Sequence, residues 1–457
     1  MSSFSKGSEW RKWDLHVHTP LSIEHQYGQV NNETWEKYIS DLEHLPVEFA
    51  VLGINDYIFL DGYKKVIEFK KAGRLQNIER IFPVIELRID KFGNVDDKAW
   101  KRVNLHIIFS DEIDADIIES QFLNAIQVDY KLSPIDTDEE INVDFRGVIN
   151  RKSLQDLGHK IKESSSIEIN GSDLKVGFSN FTHSYEQIKK ALESHYFKNK
   201  HLKAIGKTEW DTMRWTGIIG DKKTVINDAD FIFISTENSI SYDKSREQLK
   251  KQKVNNFLLD CSDAHSYRDS QNKDRIGNSL TWIKADPTFR GLQQVKQDFE
   301  ERVFIGERPP ILDKVHLNKT KYIKSLDIKS INNYNQNKGI WFSDFNTLEF
   351  NKELIAIIGN KGNGKSAISD IIGLLSNSSN QQHFSFLNKN KFLKNKVAEN
   401  FEATLSFESG DNLTKNLNDT IDVTTVERVR YLPQNYFEKL CNDLEGEGFE
   451  KSLQPIV

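Results

Sequence analysis

Imidazoles and carboxylates sit at the ends of short apolar runs in this chain. The run at 13–18 carries Asp14-Leu15-His16-Val17-His18, and the run at 49–54 leads into Asn55-Asp56-Tyr57. The run at 81–87 carries Glu86, the run at 104–109 carries His106, and the run at 257–260 leads into Ser262-Asp263-Ala264-His265. His16 and His18 are two residues apart, so on a strand both point the same way, and Asp263 and His265 share that spacing. Imidazole plus carboxylate is the ligand set of zinc, manganese or iron. A lone His-x-His is more often two ordinary histidines. The recurrence of such groups at separate strand ends, which converge on one face of a parallel barrel, is what points to a metal site.

A second chemistry lies further along. Gly359-Asn360-Lys361-Gly362-Asn363-Gly364-Lys365-Ser366 fits the GxxxxGK[ST] pattern, between an expected strand at 354–358 and an expected helix at 367–375 that opens with Ala367. The glycines let the backbone curl so that N–H groups face phosphates, and the helix N-terminus adds positive potential. In this pattern Lys365 meets the β- and γ-phosphates and Ser366 holds magnesium.

The elements that must position these groups read as strand–helix repetition. Seven apolar, β-branched runs (13–18, 49–54, 81–87, 104–109, 175–179, 230–235 and 257–260) do not alternate strictly and read as strands buried on both faces. Helices are expected at 62–72, 182–194 and 287–301, the last with Pro287 in its first turn. This order argues for an α/β parallel barrel or a doubly wound sheet. Residues 111–174 read as an insertion with a helix near 153–163. Arg308-Pro309-Pro310 breaks the chain, and the Lys- and Asn-rich stretch 313–335 reads as a linker. Residues 376–400 read as a mobile loop, and 401–407 and 426–432 as strands.

Composition bounds the classes open to it. With 37% hydrophobic and 28% charged residues, the 457-residue chain has the material for a core and for two or three domains. A net charge of -6 excludes a globally basic nucleic-acid coat, though not a local basic groove. Cys261 and Cys441 are too few for a disulfide framework or a thiolate zinc site, so reducing cytoplasm is the expected compartment. The first residues lack a signal-peptide core, and ELIAIIG is too short to span a membrane.

DLHVHT, LGINDYIFLDGY, PVIEL, NLHIIF and CSDAH together resemble the PHP (polymerase and histidinol phosphatase) superfamily across residues 8–312. The resemblance implies a distorted seven-stranded (β/α) barrel, two or three divalent ions (manganese, zinc or iron) and phosphoester hydrolysis. It marks His16, His18, Glu86, His106, Asp263 and His265 as ligands, with Asp56, Tyr57 and His106 as catalytic candidates. Tyr57 stands where that family has an imidazole, and Ile23 where an acid is common, with Glu24 or His25 as the available substitutes; the fifth run lacks the family's His-Pro, and His183 a few residues later is either a ligand or a solvated loop histidine. ELIAIIGNKGNGKSAISDIIGLL resembles the first lobe of SMC/ABC-type ATPases over 336–457, and YLPQNYFEKL looks like their Q-loop, with Gln434 as the magnesium-sensing glutamine.

The combination, with TWIKADPTFRGL, is similar to TrlF-type PHP–ATPase proteins, some of which are thought to act in phage defence. The expected function is a metal-dependent phosphoesterase, a nuclease, coupled to a module that binds ATP and magnesium and self-associates. The alternative is a nucleotide-sensing or assembly protein with an inactive PHP domain; a small-molecule phosphatase is a third class. No apolar strand ending in paired acids follows the phosphate loop, so the chain is expected to be the N-terminal portion of a longer ATPase. Lys389, Lys391, Lys394 and Lys396, interleaved with Phe384, Phe386 and Phe392, read either as a nucleic-acid contact or as a solvated hairpin. Glu209-Trp210-Asp211 reads as surface packing.

Overall fold

The computed structural model of the chain describes residues 6–96, 99–126, 149–206, 219–331, 334, 347–422 and 424–442. Glu209, Trp210, Asp211, residues 127–148 of the expected insertion and residues 332, 333 and 335 of the expected linker lie outside the described residues. Two compact units emerge, Glu9–Pro309 and a second made of Met1–Ser8 with Pro310–Val457.

The first unit is built on a mixed sheet of nine strands: β1 Trp10–Val17, β2 Phe49–Asn55, β3 Arg80–Asp96, β4 Ala99–Phe109, β5 His201–Gly206, β6 Phe231–Ile234, β7 Leu258–Asp260, β8 Thr281–Lys284 and β9 Val303–Ile305. Their order is β7-β6-β5-β4-β3-β2-β1-β8-β9. β1, β2 and β3 run parallel, as do β5, β6 and β7. β4 is antiparallel to both its neighbours, and β8 and β9 add an antiparallel edge. The sheet nearly closes into a barrel where Val17 bridges Ala264. There His18 N–H donates to Ala264 O at 3.0 Å and Ala264 N–H donates to His16 O at 3.3 Å.

Both faces of the sheet are apolar. All seven residues of β2 are buried. Leu52, Ile54, Ile85 and Leu105 join one core cluster, while Trp13, Val51, Phe82 and Phe231 join another. The helices that cover the sheet include α1 Asn32–Glu43, α2 Asp61–Lys71, α3 Arg151–Ser164, α4 Asp173–Ser179, α5 Tyr185–Leu192, α6 Ile219–Asp228, α7 Ser239–Gln252 and α8 Phe289–Val295.

Four expectations are corrected here. The strand count is nine rather than seven, because β5, β8 and β9 are short, at six, four and three residues. The sheet is not all-parallel. Residues 175–179 are helical: Ser172 caps α4 by accepting from Lys175 N–H, and the apolar run Val176–Phe178 buries one helical face instead of a strand. The helix expected at 287–301 is interrupted, with α8 capped by Thr288 and a separate turn at Phe299–Arg302.

The second unit carries a four-stranded antiparallel sheet, β10 Ile323–Ser330, β11 Leu348–Glu349, β12 Phe401–Phe407 and β13 Asn412–Asn416, in the order β11-β10-β12-β13. Phe401, Ala403, Leu405 and Phe407 alternate inward along β12 and join Ile371 and Leu374 of helix α10, Lys365–Leu375, in one core. Helices α9, Pro310–Leu317, and α11, Gln434–Asn442, complete it. The expected linker 313–335 is thus partly α9 and β10. Residues 354–358 pair with no strand among the described residues, and Leu354 and Ile358 are 95% and 90% exposed. Residues 426–432 are likewise not a strand. The stretch 376–400 is packed, not loose: Phe384, Leu387 and Ala398 are buried.

β1 and β2 approach so closely that a Cβ on Gly53 would lie 2.5 Å from Leu15 O, beside His16. Gly53→Ala should destabilise the first unit by about 1–3 kcal/mol, the usual cost of overpacking against backbone. Urea unfolding checks this, and a change under about 0.5 kcal/mol would contradict the close approach.

Candidate metal centre

The closure of the sheet brings the expected ligands together. β1 delivers His16, and His18 follows directly. β3 and β4 deliver Glu86 and His106 as a directly opposed cross-strand pair. The segment after β7 delivers Asp263 in the left-handed region, at φ 51°. That backbone is held by both neighbours: Ser262 N–H donates to Asp14 Oδ1 at 3.1 Å, and Ala264 pairs with β1.

Two donor groups result, His16 with Glu86 and His106, and His16 with His18 and Asp263, each with ligand atoms within 4.8 Å of one another. His16 Nε2 stands 3.0 Å from His18 Nε2, 3.2 Å from Asp263 Oδ1 and 3.4 Å from Glu86 Oε2. Cis ligands on a zinc- or manganese-sized ion are separated by about 3.0–3.5 Å, given bond lengths near 2.1 Å, so these spacings match the edges of a coordination polyhedron. An imidazole nitrogen has one lone pair, however, so His16 Nε2 serves one ion at a time.

The donors are held in place from behind. His18 Nδ1 meets Ser22 Oγ at 2.9 Å, which leaves Nε2 facing the cluster. Glu86 accepts from Asn104 Nδ2 at 2.8 Å on one oxygen and from Asn55 Nδ2 at 3.0 Å on the other. His106 is buried, and among the described residues neither of its ring nitrogens has a hydrogen-bond partner, although Nε2 stands 3.5 Å from Glu86 Oε2. A buried imidazole without a partner among the described residues, set beside a carboxylate and another imidazole, fits the donor set of a cation.

Electrostatics agree. Burial depresses His16, but Asp263 and Glu86 outweigh it and raise its pKa to about 9. Burial, aided by the His265 and His16 charges, lowers His18 to about 3. Burial would raise Glu86, yet His106 and His16 hold it well below the usual carboxylate range; burial would likewise raise Asp263, which His16 and the neighbouring histidines hold down. In the metal-free cluster a proton on His16 therefore sits among two carboxylates and a neutral His18.

Three expected residues make contacts outside the two donor groups. His265 Nδ1 donates to Asp263 O at 2.7 Å, so in the neutral ring Nε2 accepts, and Tyr57 Oη–H fills it at 3.1 Å. His265 belongs to neither donor group. Tyr57, at φ 61°, lies against His18 at 4.8 Å between ring centroids, and burial pushes its hydroxyl pKa well up. The Asp56 carboxylate is turned to Thr19, accepting from its N–H at 2.8 Å and its Oγ1–H at 2.7 Å; it locks the loop after β1, and burial raises it to about 6. Of the substitutes, Glu24 pairs with Lys175, while His183 is buried and bridges Ile89 by its backbone; neither joins a donor group, and nor does His25. Asn55 and Asn104, which hold Glu86, were not anticipated. The period-two spacing of Asn104 and His106 was the available signal.

In the second unit the phosphate loop curls through Gly359, Gly362 and Gly364 at φ 158°, 91° and 82°, and α10 starts at Lys365 with no side chain capping it. Lys365 Nζ donates to Gly359 O at 2.7 Å and Asn360 O at 2.9 Å. Gln434 donates to Glu438 on its own helix, and no hydrogen bond joins it to the loop among the described residues. Phe386 and Phe392 stack at 4.6 Å, and Phe392 lies 5.7 Å from Phe401, so these rings pack the core while the four lysines are exposed.

No protein-family description matches the chain, and no curated protein matches it. No helix among the described residues is long and apolar enough to cross a membrane.

Because His16 titrates near 9, its proton competes with a metal ion below that pH. At pH 7, uptake of one ion should release about one proton, and affinity should rise up to about tenfold per pH unit towards 9 and then level off. Calorimetry in buffers of different ionisation enthalpy measures the release; none at pH 7 would contradict this protonation pattern.

Proposed function

We propose that the unit Glu9–Pro309 is a metal-dependent phosphoesterase acting on nucleic acid, coupled to a nucleotide-binding second unit. The observation that carries the reading is the pair of buried donor groups sharing His16 at the wall of a cavity of about 450 Å³. His16, His18, Glu86 and Asp263, with His106 beside them, are the residues to hold zinc, manganese or iron. Such an ion supplies Lewis-acid stabilisation of phosphoryl charge and a more acidic water. The chain's own part is to fix the donors through Ser22, Asn55 and Asn104 and to keep Tyr57 as a neutral hydroxyl at the cavity wall. The glycine conformations of the phosphate loop and the uncapped start of α10 support ATP with magnesium as the ligand of the second unit. The resemblance to TrlF-type proteins extends the reading to self-association through that unit and to phage defence.

The second reading, a nucleotide sensor with an inactive first unit, has one observation in its favour. Tyr57 occupies the lone pair of His265 and withholds an expected ligand.

Elemental analysis after incubation with manganese should find at least one tightly held ion per chain. The ion should be lost in the His16→Ala/Asp263→Ala variant. Hydrolysis of single-stranded or duplex nucleic acid should exceed that of a generic phosphomonoester and fall by at least about 100-fold in that variant or on chelation. Metal retained without hydrolysis of any phosphoester would favour the sensor reading, and absence of metal would sink the enzyme reading. Separately, Lys365→Ala should weaken ATP binding to the full chain by about tenfold or more, as loss of a charge-assisted contact does. Unchanged ATP affinity would remove the phosphate loop from the account.

A further inference from the structure

Arg88 is two residues beyond Glu86 on β3, and its opposite on β4 is Asn104, two residues before His106. Period-two alternation places all four side chains on one face, with Arg88 about 7 Å along the strand from the metal donor. Arg88 is half-buried and lines the same cavity as His16, Glu86 and Asp263. Its guanidinium carbon lies 4.2 Å from the centroid of the Phe178 ring, which is itself buried on α4 and 4.8 Å from the ring of Tyr57. A cation–π contact of this kind anchors the guanidinium against the ring and leaves N–H groups along its edge.

That edge has no acid to satisfy it. Among the described residues no carboxylate lies within ion-pair distance of Arg88, and no hydrogen-bond acceptor takes its guanidinium protons. Arg11, Arg74, Arg151 and Arg246 each reach a carboxylate, Glu79, Glu43, Asp61 and Glu300 respectively. Glu86, the nearest acid in sequence, is already held by Asn55 and Asn104. Lys273, another cation of the cavity wall, is exposed and stands 3.7 Å from Asp274, so its charge is offset. A half-buried guanidinium without a counterion among the described residues, lining the same cavity as the donor groups and about 7 Å along the strand from Glu86, is built for an anion with several oxygens.

We propose that Arg88 binds the non-bridging phosphoryl oxygens of the substrate. This rests on the phosphoesterase reading for the identity of the anion. A phosphoryl group has enough oxygens to face the donor cluster with one and the Arg88 fork with others, which positions the ester between them. Phosphoryl oxygens are common to terminal monoesters and internal diesters, so the assignment names that shared chemistry.

The test titrates inorganic phosphate, a mononucleotide and a dinucleotide into the full chain by calorimetry, with and without manganese, alongside elemental analysis of each variant. Arg88→Gln should keep the metal content of the native protein and weaken inorganic phosphate by about tenfold or more. Arg88→Lys, which keeps the stem and the charge but lacks the fork, should fall between; it decides the matter if Arg88→Gln does not fold. The mononucleotide and dinucleotide arms show whether the group is terminal or internal, and Arg88 dependence in either supports the proposal. Unchanged affinity for all three probes in a folded Arg88→Gln that retains its ion would overturn it, as would a native protein that binds none of them. A native chain that holds no ion but binds phosphate through Arg88 would retain this site while the metal reading fails.

Discussion

Two backbone hydrogen bonds, from His18 N–H to Ala264 O and from Ala264 N–H to His16 O, join the first strand of the barrel to the segment after the seventh. Everything proposed for this unit depends on that seam. It brings His16 and His18, near the start of the chain, against Asp263, about 245 residues later. It also imposes the left-handed backbone at Asp263, a conformation that costs on the order of 1 kcal/mol for a residue other than glycine. Asp14 reinforces the seam by accepting from both Ser262 N–H and His16 N–H. A barrel left open at this point would hold Glu86 and His106 on neighbouring strands but leave them without the other half of the donor set.

The charges in the seam are arranged around one proton. Two carboxylates pulled below their usual range and three imidazoles with Nε2 aimed inward make a small volume that is negative unless something positive enters. A proton on His16 fills that role in the metal-free protein. The same residues that raise the His16 pKa are those proposed to hold an ion, so proton and metal would be alternatives at this centre and not independent ligands. Tyr57 stands outside this exchange, because its buried hydroxyl stays neutral and spends its proton on His265.

Much of this was legible in the sequence because metal chemistry draws on few residue types. His16, His18, Glu86, His106 and Asp263 stood out at the ends of β-branched runs, and the structure gathers all five. What was not legible depends on ring placement and on weak local signals. No spacing rule says that Tyr57 turns its hydroxyl to His265, or that Asp56 turns away to Thr19. The run 175–179 is short and apolar, and such runs do not distinguish strand from helix until a cap such as Ser172 is weighed. β5 was missed because His201 and Lys203 interrupt its apolar face. The stretch 354–358 shows the converse failure: five apolar residues in a row carry the strand signature, but a strand also needs a neighbour to pair with. Arg88 was overlooked because an arginine on a strand near a site is ordinary until its lack of an acid becomes visible.

The conformation of Lys365 bears on how affinities of the second unit are to be read. Its ammonium already has two oxygen partners, both supplied by the loop it belongs to. An ammonium has three N–H donors, so an anion entering that loop would meet the third or displace one of these two, and hydrogen bonds to a charged group are worth about 1.5–3 kcal/mol each. The loop's own carbonyls would thus compete with such an anion for part of the lysine's hydrogen-bonding capacity. A dissociation constant measured on this chain is a difference between two ways of solvating one lysine, and it understates the strength of the bound contacts themselves.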